Sequence, residues 1–247
     1  MALFLLAIVM VCAPAFSQNK PLTPKMDGPF NLSKLRPKHH FSSEHDNSDY
    51  TQNFTLISNK YQEQTHLVFD HFISILKTEA DTNSLSALNL AIAFHVKGDL
   101  DAAIPVLDTA LLHFPNNFSL NYALASIFYD KADYRKTEQQ YLHIINKDRA
   151  QSEAWYELGF LYSNTDELSN FTDYCLTKSI SLNPKNVDAE YELARLLSAN
   201  NDIDNAMIHL DNALKNGFTN IDTLEADNDF DNLEQDDRYQ GLIDKYK

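Results

Sequence analysis

The sequence WYELGFLY, residues 155–162, decides the fold of this chain. Its small and large apolar residues recur three and four positions apart, which places them on one face of a helix. A leucine, a small or medium apolar residue and a bulky residue return in this arrangement along the chain. The leucines of the pattern are Leu90, Leu124, Leu158 and Leu193, at spacings of 34, 34 and 35 residues. A constant period of this length predicts an array of helical repeats that bury their apolar faces against one another.

The first repeat shows how one unit is built. Its apolar residues between positions 90 and 94 belong to one face of a first helix. Gly98 and Asp99 then supply a tight turn and an N-cap, and a second apolar stripe runs from Leu100 until Pro115 stops the helix. The unit is therefore predicted to be a helical hairpin.

The third repeat carries the most diagnostic residues. Trp155, Leu158, Gly159 and Tyr162 match the W-x2-L-G-x2-Y signature of tetratricopeptide repeats, and the chain resembles that family from about residue 84 to 218. The resemblance implies an all-α fold, a right-handed α-solenoid of about four hairpins. Their predicted bounds are 84–117, 118–151, 152–186 and 187–217.

Close approach of the two helices in a hairpin requires a small residue, and the family usually keeps alanine there. Ala103 and Ala206 hold this place in the first and fourth units. Thr137 holds it in the second unit, and either Phe171 or Thr172 holds it in the third. This difference predicts looser packing in units two and three.

The first fifty residues have a different composition. Residues 1–17 begin with an apolar run and pass through Ala13-Pro14-Ala15 to a polar stretch, which predicts a signal peptide and export to the periplasm or the medium. Residues 18–50 lack a helical period and are predicted to be a disordered tether. Between residues 18 and 40 this tether holds five basic residues and one acidic residue, so it either folds against the acidic body or remains a solvated arm.

Segments on both sides of the array are predicted to cover its ends. Residues 51–83 contain enough apolar residues for one long or two short helices, but they fit the repeat period poorly. Residues 218–247 resemble the terminal segment of bacterial tetratricopeptide arrays. This acidic segment is expected to cover the last hairpin, with Asp236 capping a short final helix.

The charge of the chain restricts its partners. The net charge is -15 and the isoelectric point is near 4.8. Nucleic acids and anionic lipid surfaces both require a basic face, so neither is expected as a partner, and we expect no membrane insertion of the mature chain. A protein or peptide partner with basic residues fits this charge better, whereas the sequence does not predict the oligomeric state.

Neither a catalytic motif nor a phosphate-binding loop is present, and we predict no enzymatic activity, no cofactor and no metal site. Asp227, Asp229 and Asp231 alternate as calcium ligands do, but Asn232 and Arg238 stand where an EF-hand needs glycine and glutamate. A histidine cluster at 39–45 lacks supporting ligands. Cys175 falls in an apolar stripe and is interpreted as a small buried residue.

The resemblance implies that the first helix of each hairpin lines a concave groove. The inward positions form an aromatic surface with acids toward its far end. The predicted groove residues are Leu88, Asn89, Ile92, His95, Tyr122, Ser126, Tyr129, Tyr156, Glu157, Phe160, Tyr191, Glu192 and Arg195.

These features together predict a non-catalytic, exported scaffold that binds an extended peptide or a segment of a partner protein in this groove. Two alternatives remain open. One is an accessory module of a neighbouring exported enzyme or complex, with no ligand of its own. The other is an acidic protein that responds weakly to calcium through the aspartates after residue 226.

Overall fold

A computed structural model describes residues 66–164 and 169–246 of the chain. The predicted signal peptide (1–17), the tether (18–50) and the first part of the N-terminal helical segment (51–83) lie outside the described residues. The described residues form helices and connecting turns and contain no β-strand, so the predicted all-α fold class is confirmed. No helix among them is both long and apolar enough to cross a membrane.

The described helices group into two compact units that meet in sequence between Arg149 and Ala150. The first unit consists of successive helices, each packed on the next, and α2 also contacts α4 of the following hairpin. These helices are α1 (His66–Glu79), α2 (Ser84–Val96), α3 (Leu100–His113), α4 (Phe118–Asp130) and α5 (Tyr134–Lys147). The pairs α2/α3 and α4/α5 are the first two predicted hairpins, and α1 covers the first of them.

The second unit contains the third and fourth hairpins and the C-terminal segment. Its first four helices again pack in sequence order, with an additional contact between the two first helices. They are α6 (Ser152–Ser163), α7 (Ser169–Leu182), α8 (Val187–Ala199) and α9 (Ile203–Lys215). The remaining elements are α10 (Ile221–Glu225), a 3-10 turn (Asn228–Phe230), α11 (Asp231–Glu234) and α12 (Asp237–Tyr246).

Side-chain caps fix the helix starts at the same place in successive hairpins. The predicted turn after α2 is confirmed: Gly98 has a φ of 79°, and Asp99 accepts a hydrogen bond from the Ala102 N–H at 3.1 Å. In the first, second and fourth hairpins asparagine caps the first helix and aspartate caps the second. The residues that cap in this way are Asn83, Asn117 and Asn186, and Asp99, Asp133 and Asp202.

The close-approach position of each hairpin is fully buried. Ala103, Thr137, Thr172 and Ala206 all have 0% exposure. In the third hairpin Thr172 occupies this place, whereas Phe171 is half-buried and packs its ring 6.1 Å from that of Tyr162. The hydroxyl of Thr137 donates to the Asp133 carbonyl at 3.1 Å, so its own helix satisfies the polar atom in the second hairpin. The buried Thr172 hydroxyl makes no hydrogen bond to any described residue.

The C-terminal segment keeps the register of a fifth hairpin. Helix α10 begins one repeat period after α8, and α12 begins one repeat period after α9. Three short elements, α10, the 3-10 turn and α11, occupy the position of the first helix of this hairpin. Helix α12 occupies the position of the second helix. Phe230, Leu233 and Ile243 enter the core that Leu210 and Leu214 begin, and Asp236 caps α12 by accepting from the Arg238 N–H at 2.9 Å.

Candidate peptide-binding surface

The thirteen predicted groove residues all lie on the first helices of the hairpins, α2, α4, α6 and α8. Eleven of them are buried, with exposed fractions between 0% and 9%. Asn89 and His95, both on α2, are only partly buried. The predicted surface is therefore mostly packed, and its partly open positions lie in the first unit.

Asn89 has an unsatisfied polar atom. Its Oδ1 is buried, and no donor within the described residues reaches it. The neighbouring inward residues Leu88 and Ile92 are 2% and 0% exposed, so the amide lies beside an apolar wall. A buried acceptor without a donor costs about 1–3 kcal/mol, so a donor that reached this amide would stabilise the protein.

Ion pairs join consecutive hairpins near one end of the first unit. His95 Nε2 lies 2.6 Å from Asp130 Oδ2 at the end of α4. Lys97 and Lys131, which are one repeat period apart, each reach back to the preceding helices. Lys97 Nζ contacts Asp70 Oδ1 at 2.7 Å, and Lys131 Nζ contacts Asp101. His95 is thus tied to the array, and Asp130 places a carboxylate at this end of the surface.

The tyrosines of α4 pack within the first unit. The Tyr122 ring lies 5.6 Å from Phe118 and 6.0 Å from Tyr141, between the two helices of the second hairpin. Tyr129 packs edge-on to Tyr134 at 5.6 Å. Such ring pairs contribute about 0.5–1.5 kcal/mol each beyond burial, so these tyrosines hold the hairpin together.

In the second unit, Tyr156 and Phe160 of α6 lie 6.2 Å apart. Burial raises the pKa of Tyr156 well above its usual value, and the carboxylates of Asp188, Glu192 and Glu157 raise it further. These carboxylates come from α6 and α8, the helices that the sequence predicts to be acidic. Arg195, which pairs with Glu192, opposes this effect, so a cation is already present beside the ring.

The C-terminal segment covers the predicted groove residues of α8. Tyr191 stacks on Phe218 at 4.6 Å, and its hydroxyl donates to Asp227 Oδ2 at 2.9 Å. Arg195 donates from Nη1 to Asp229 Oδ2 at 2.6 Å. The sequence places these aspartates in the C-terminal cap but does not reveal their partners. Only the repeat period could have indicated one of the pairs, because Arg195 and Asp229 are one repeat apart.

Arg195 is held on both sides. Its Nε and Nη2 donate to Glu192 Oε2, one turn earlier on α8, at 3.0 and 2.5 Å. Burial alone would lower the pKa of the guanidinium, but Glu192, Asp229 and Asp227 outweigh it and raise the pKa above the usual value. Burial raises the pKa of Tyr191, and Asp227 and Glu192 raise it further. Arg195 therefore stays charged and Tyr191 stays a neutral donor at any physiological pH.

A cavity that sequence analysis did not predict opens in the first unit, on the side of the second helices. It has a volume of about 500 Å³ and lies among α3, α4 and α5. Its lining includes Leu111, Leu112, Pro115, Leu124, Leu142 and His143. Leu112 lies at its edge and is 82% exposed. The cavity is therefore a second open surface, and a binding experiment must distinguish it from the predicted groove.

The described residues do not assemble a metal site. No group of three or more histidine, cysteine or acidic side chains within them is placed to hold an ion. Asp227 and Asp229 already accept hydrogen bonds from Tyr191 and Arg195, so these carboxylates serve the cap. Cys175 is fully buried between the helices of the third hairpin, as expected of a small apolar residue.

Comparisons with known proteins identify the fold. No family model and no curated protein matches the chain. Among solved structures, a crystal structure of MamA has a TM-score of 0.55 at 20% identity, covering 68% of this chain and 91% of that one. A second MamA structure, from Desulfovibrio magneticus, has a TM-score of 0.51 at 19% identity, covering 68% of this chain and 94% of that one. YrrB, a tetratricopeptide-repeat protein with an unusual peptide-binding site, has a TM-score of 0.51 at 16% identity, covering 72% and 89%.

At these identities the likeness establishes the fold. The chain has the tetratricopeptide-repeat fold that residues 155–162 and the repeat period predicted.

Proposed function

We propose that this protein is a non-catalytic, exported scaffold that binds an extended segment of a partner protein along the predicted groove. The observation that carries the proposal is the buried, unsatisfied Oδ1 of Asn89 on α2. A backbone N–H of an extended peptide would satisfy this acceptor when the partly buried Asn89 side chain turns outward. Leu88 and Ile92 beside it are buried and form the packed floor of this surface, and the carboxylate of Asp130 lies near its end.

The likeness to YrrB supports a peptide as the ligand, because that protein is described as having an unusual peptide-binding site on the same fold. The aromatic rings of the first helices are already packed, so they shape and stiffen the surface. A rigid surface loses little conformational entropy when it binds, and this raises affinity. We therefore assign the energetic contact to the unsatisfied amide of Asn89.

The expected partner carries basic residues. The net charge of -15 disfavours nucleic acids and attracts basic segments at long range. The carboxylates of Asp188 and Glu157 near Tyr156 add a local preference for lysine or arginine in the second unit. Association with such a partner should weaken as salt rises, because the screening length falls to about 8 Å at physiological ionic strength.

Peptide arrays with matched variants test the site. The full chain, Asn89→Ala and Leu112→Ala are probed on an array of extended peptides that vary in charge. Asn89→Ala should lower the affinity for the best peptides about tenfold, which corresponds to one lost hydrogen bond of about 1.4 kcal/mol. Leu112→Ala changes the other open surface and should leave affinity unchanged. Loss of binding in Leu112→Ala alone would move the site to the cavity among α3, α4 and α5.

Export is a separate part of the proposal, and it rests on residues 1–17. Amino-terminal sequencing of the protein from its native host should find a chain that begins just after residue 15 or 17. A chain that still begins at Met1 would contradict export by a cleaved signal. Neither result changes the assignment of the peptide surface.

A further inference from the structure

The segment Asp227–Phe230 makes contacts with α8 that resemble those of a bound peptide. Asp227 accepts a hydrogen bond from the Tyr191 hydroxyl at 2.9 Å, and Asp229 accepts one from the Arg195 guanidinium at 2.6 Å. The Phe230 ring meets the Tyr191 ring edge-on at 5.5 Å. Two polar anchors and one aromatic anchor therefore come from four consecutive residues.

The backbone of this segment departs from the helix that the repeat period calls for. Residues 221–234 occupy the position of the first helix in a fifth hairpin, yet the helix there ends at Glu225. Asp227 has φ of -92° and ψ of 103°, the extended conformation of a peptide laid across a helix. Because the helix ends here, Asp227 and Asp229 both point toward α8. Their hydrogen-bond donors, Tyr191 and Arg195, lie one turn apart on that helix.

The donors on α8 are arranged to receive these two carboxylates. Glu192 already binds Nε and Nη2 of Arg195, which leaves Nη1 for Asp229. Tyr191 is stacked on Phe218, so its hydroxyl is fixed in position for Asp227. Arg195 is 9% exposed and Tyr191 is 5% exposed. The Asp229 side chain is 38% exposed, so the buried donors fix the geometry of this contact. Charge-assisted hydrogen bonds to buried donors are strong and selective.

We propose that the Tyr191–Arg195 face of α8 is a recognition site for an acidic peptide of the form Asp-x-Asp-Phe, and that residues 227–230 keep it closed as an intramolecular ligand. This site is separate from the Asn89 surface, and it prefers a ligand of opposite charge. A short tether gives the internal segment an effective concentration on the order of millimolar. A competing peptide binds only where the internal segment is weakened or displaced.

A labelled peptide with the sequence of residues 225–234 tests the proposal by fluorescence anisotropy. The full chain should not bind it, whereas the full-length variant Asp227→Ala/Asp229→Ala/Phe230→Ala should bind it. Adding Arg195→Ala to that variant should weaken binding at least tenfold, as should asparagine at both aspartates of the peptide. A folded triple variant that ignores the peptide, or binds the asparagine peptide equally well, would overturn the proposal.

Hydrogen exchange of the unaltered chain decides the question if the triple variant fails to fold. An intramolecular ligand detaches from its site while the site stays folded. Amides of residues 227–234 should therefore exchange faster than those of α8 and α9. Arg195→Lys keeps the charge but cannot bridge Glu192 and Asp229, and it should accelerate exchange in this segment alone. Equal protection of the segment, α8 and α9 would identify a purely structural cap and overturn the proposal.

Discussion

Gly98 and Ala132 occupy the same turn in successive hairpins, and both have a positive φ, 79° and 59° respectively. They are one repeat period apart, and each is followed by the aspartate that caps the next helix. Asn201 repeats the conformation before Asp202, with a φ of 61°. The hairpin turn thus requires a left-handed residue, which glycine adopts freely and alanine adopts at a cost.

Exchanging the residue types at these two turns should shift stability in opposite directions. Ala132→Gly relieves the strained backbone and should raise the free energy of unfolding by up to about 1 kcal/mol. Gly98→Ala should lower it by a similar or larger amount, although an added Cβ would meet nothing within 4 Å. Urea unfolding followed by circular dichroism measures both. A loss of stability in Ala132→Gly would show that the turn does not carry this strain.

A second prediction concerns the start of α6. Gln151 stands where Asn83, Asn117 and Asn186 cap the other first helices, and its side chain makes no capping hydrogen bond. Gln151→Asn should stabilise the protein by about 0.5–1 kcal/mol, because the shorter side chain reaches the free N–H groups of the first turn.

The reverse change controls for the cap. Asn117→Gln removes the hydrogen bond that Asn117 Oδ1 accepts from Leu120 N–H at 3.0 Å, and it should destabilise by a similar amount. Thermal unfolding of both variants beside the unaltered chain provides the measurement. Equal melting temperatures for Gln151→Asn and the unaltered chain would mean that the first turn of α6 is already satisfied.

The sequence predicts the hairpins well because their determinants are local. Helical spacing, the Gly98-Asp99 turn and the return of the same pattern in the next unit can each be seen in the sequence without knowing any tertiary contact. The third unit is one residue longer, so spacing alone could not choose between Phe171 and Thr172. Packing decides, because the fully buried threonine fits between the helices while the larger ring lies at their edge.

The candidate site is less predictable because it depends on contacts between repeats. Tyr191 and Arg195 look like groove residues from their positions in α8, but the C-terminal segment covers them. Of the pairs that carry this contact, Arg195 and Asp229 are one repeat apart in sequence, as are Asp211 and Lys245. A comparison of charges at the spacing of one repeat would identify the pairs Arg195/Asp229 and Asp211/Lys245. The missing partner of Asn89, by contrast, has no signature in the sequence.

The third prediction concerns Gly159 of the signature motif. An added Cβ at this position would lie 3.0 Å from Leu176 Cδ2 and 3.2 Å from Cys175 Cβ, both fully buried in α7. Gly159→Ala should therefore destabilise the third hairpin by about 1–3 kcal/mol, despite the better helix propensity of alanine. Urea unfolding gives the magnitude.

Gly241 provides the matched control for this substitution. It lies in α12, is exposed, and has no atom within 4 Å of an added Cβ. Gly241→Ala should stabilise by up to about 1 kcal/mol, since only helix propensity changes. A stabilising effect at both glycines would mean that α6 and α7 can separate to accept a methyl group at no cost.

The last prediction concerns the pH dependence of the contact between α9 and α12. Burial alone would raise the pKa of Asp211, but hydrogen bonds from the Tyr246 hydroxyl at 2.8 Å and Lys245 Nζ at 3.0 Å lower it below its usual value of 3.8. A carboxyl whose pKa is lower in the folded state stabilises the fold when it is ionised. This contribution should be complete above the usual pKa and should disappear as the pH falls below it.

Asp211→Asn should therefore lower the melting temperature at pH 6, and its difference from the unaltered chain should shrink at about pH 2.5. Asp244→Asn controls for the loss of an exposed carboxylate on α12, which accepts a hydrogen bond from Gln240 at 2.7 Å. It should change the melting temperature little at either pH. A difference between Asp211→Asn and the unaltered chain that is the same at both pH values would show that ionised Asp211 does not hold α12 against α9.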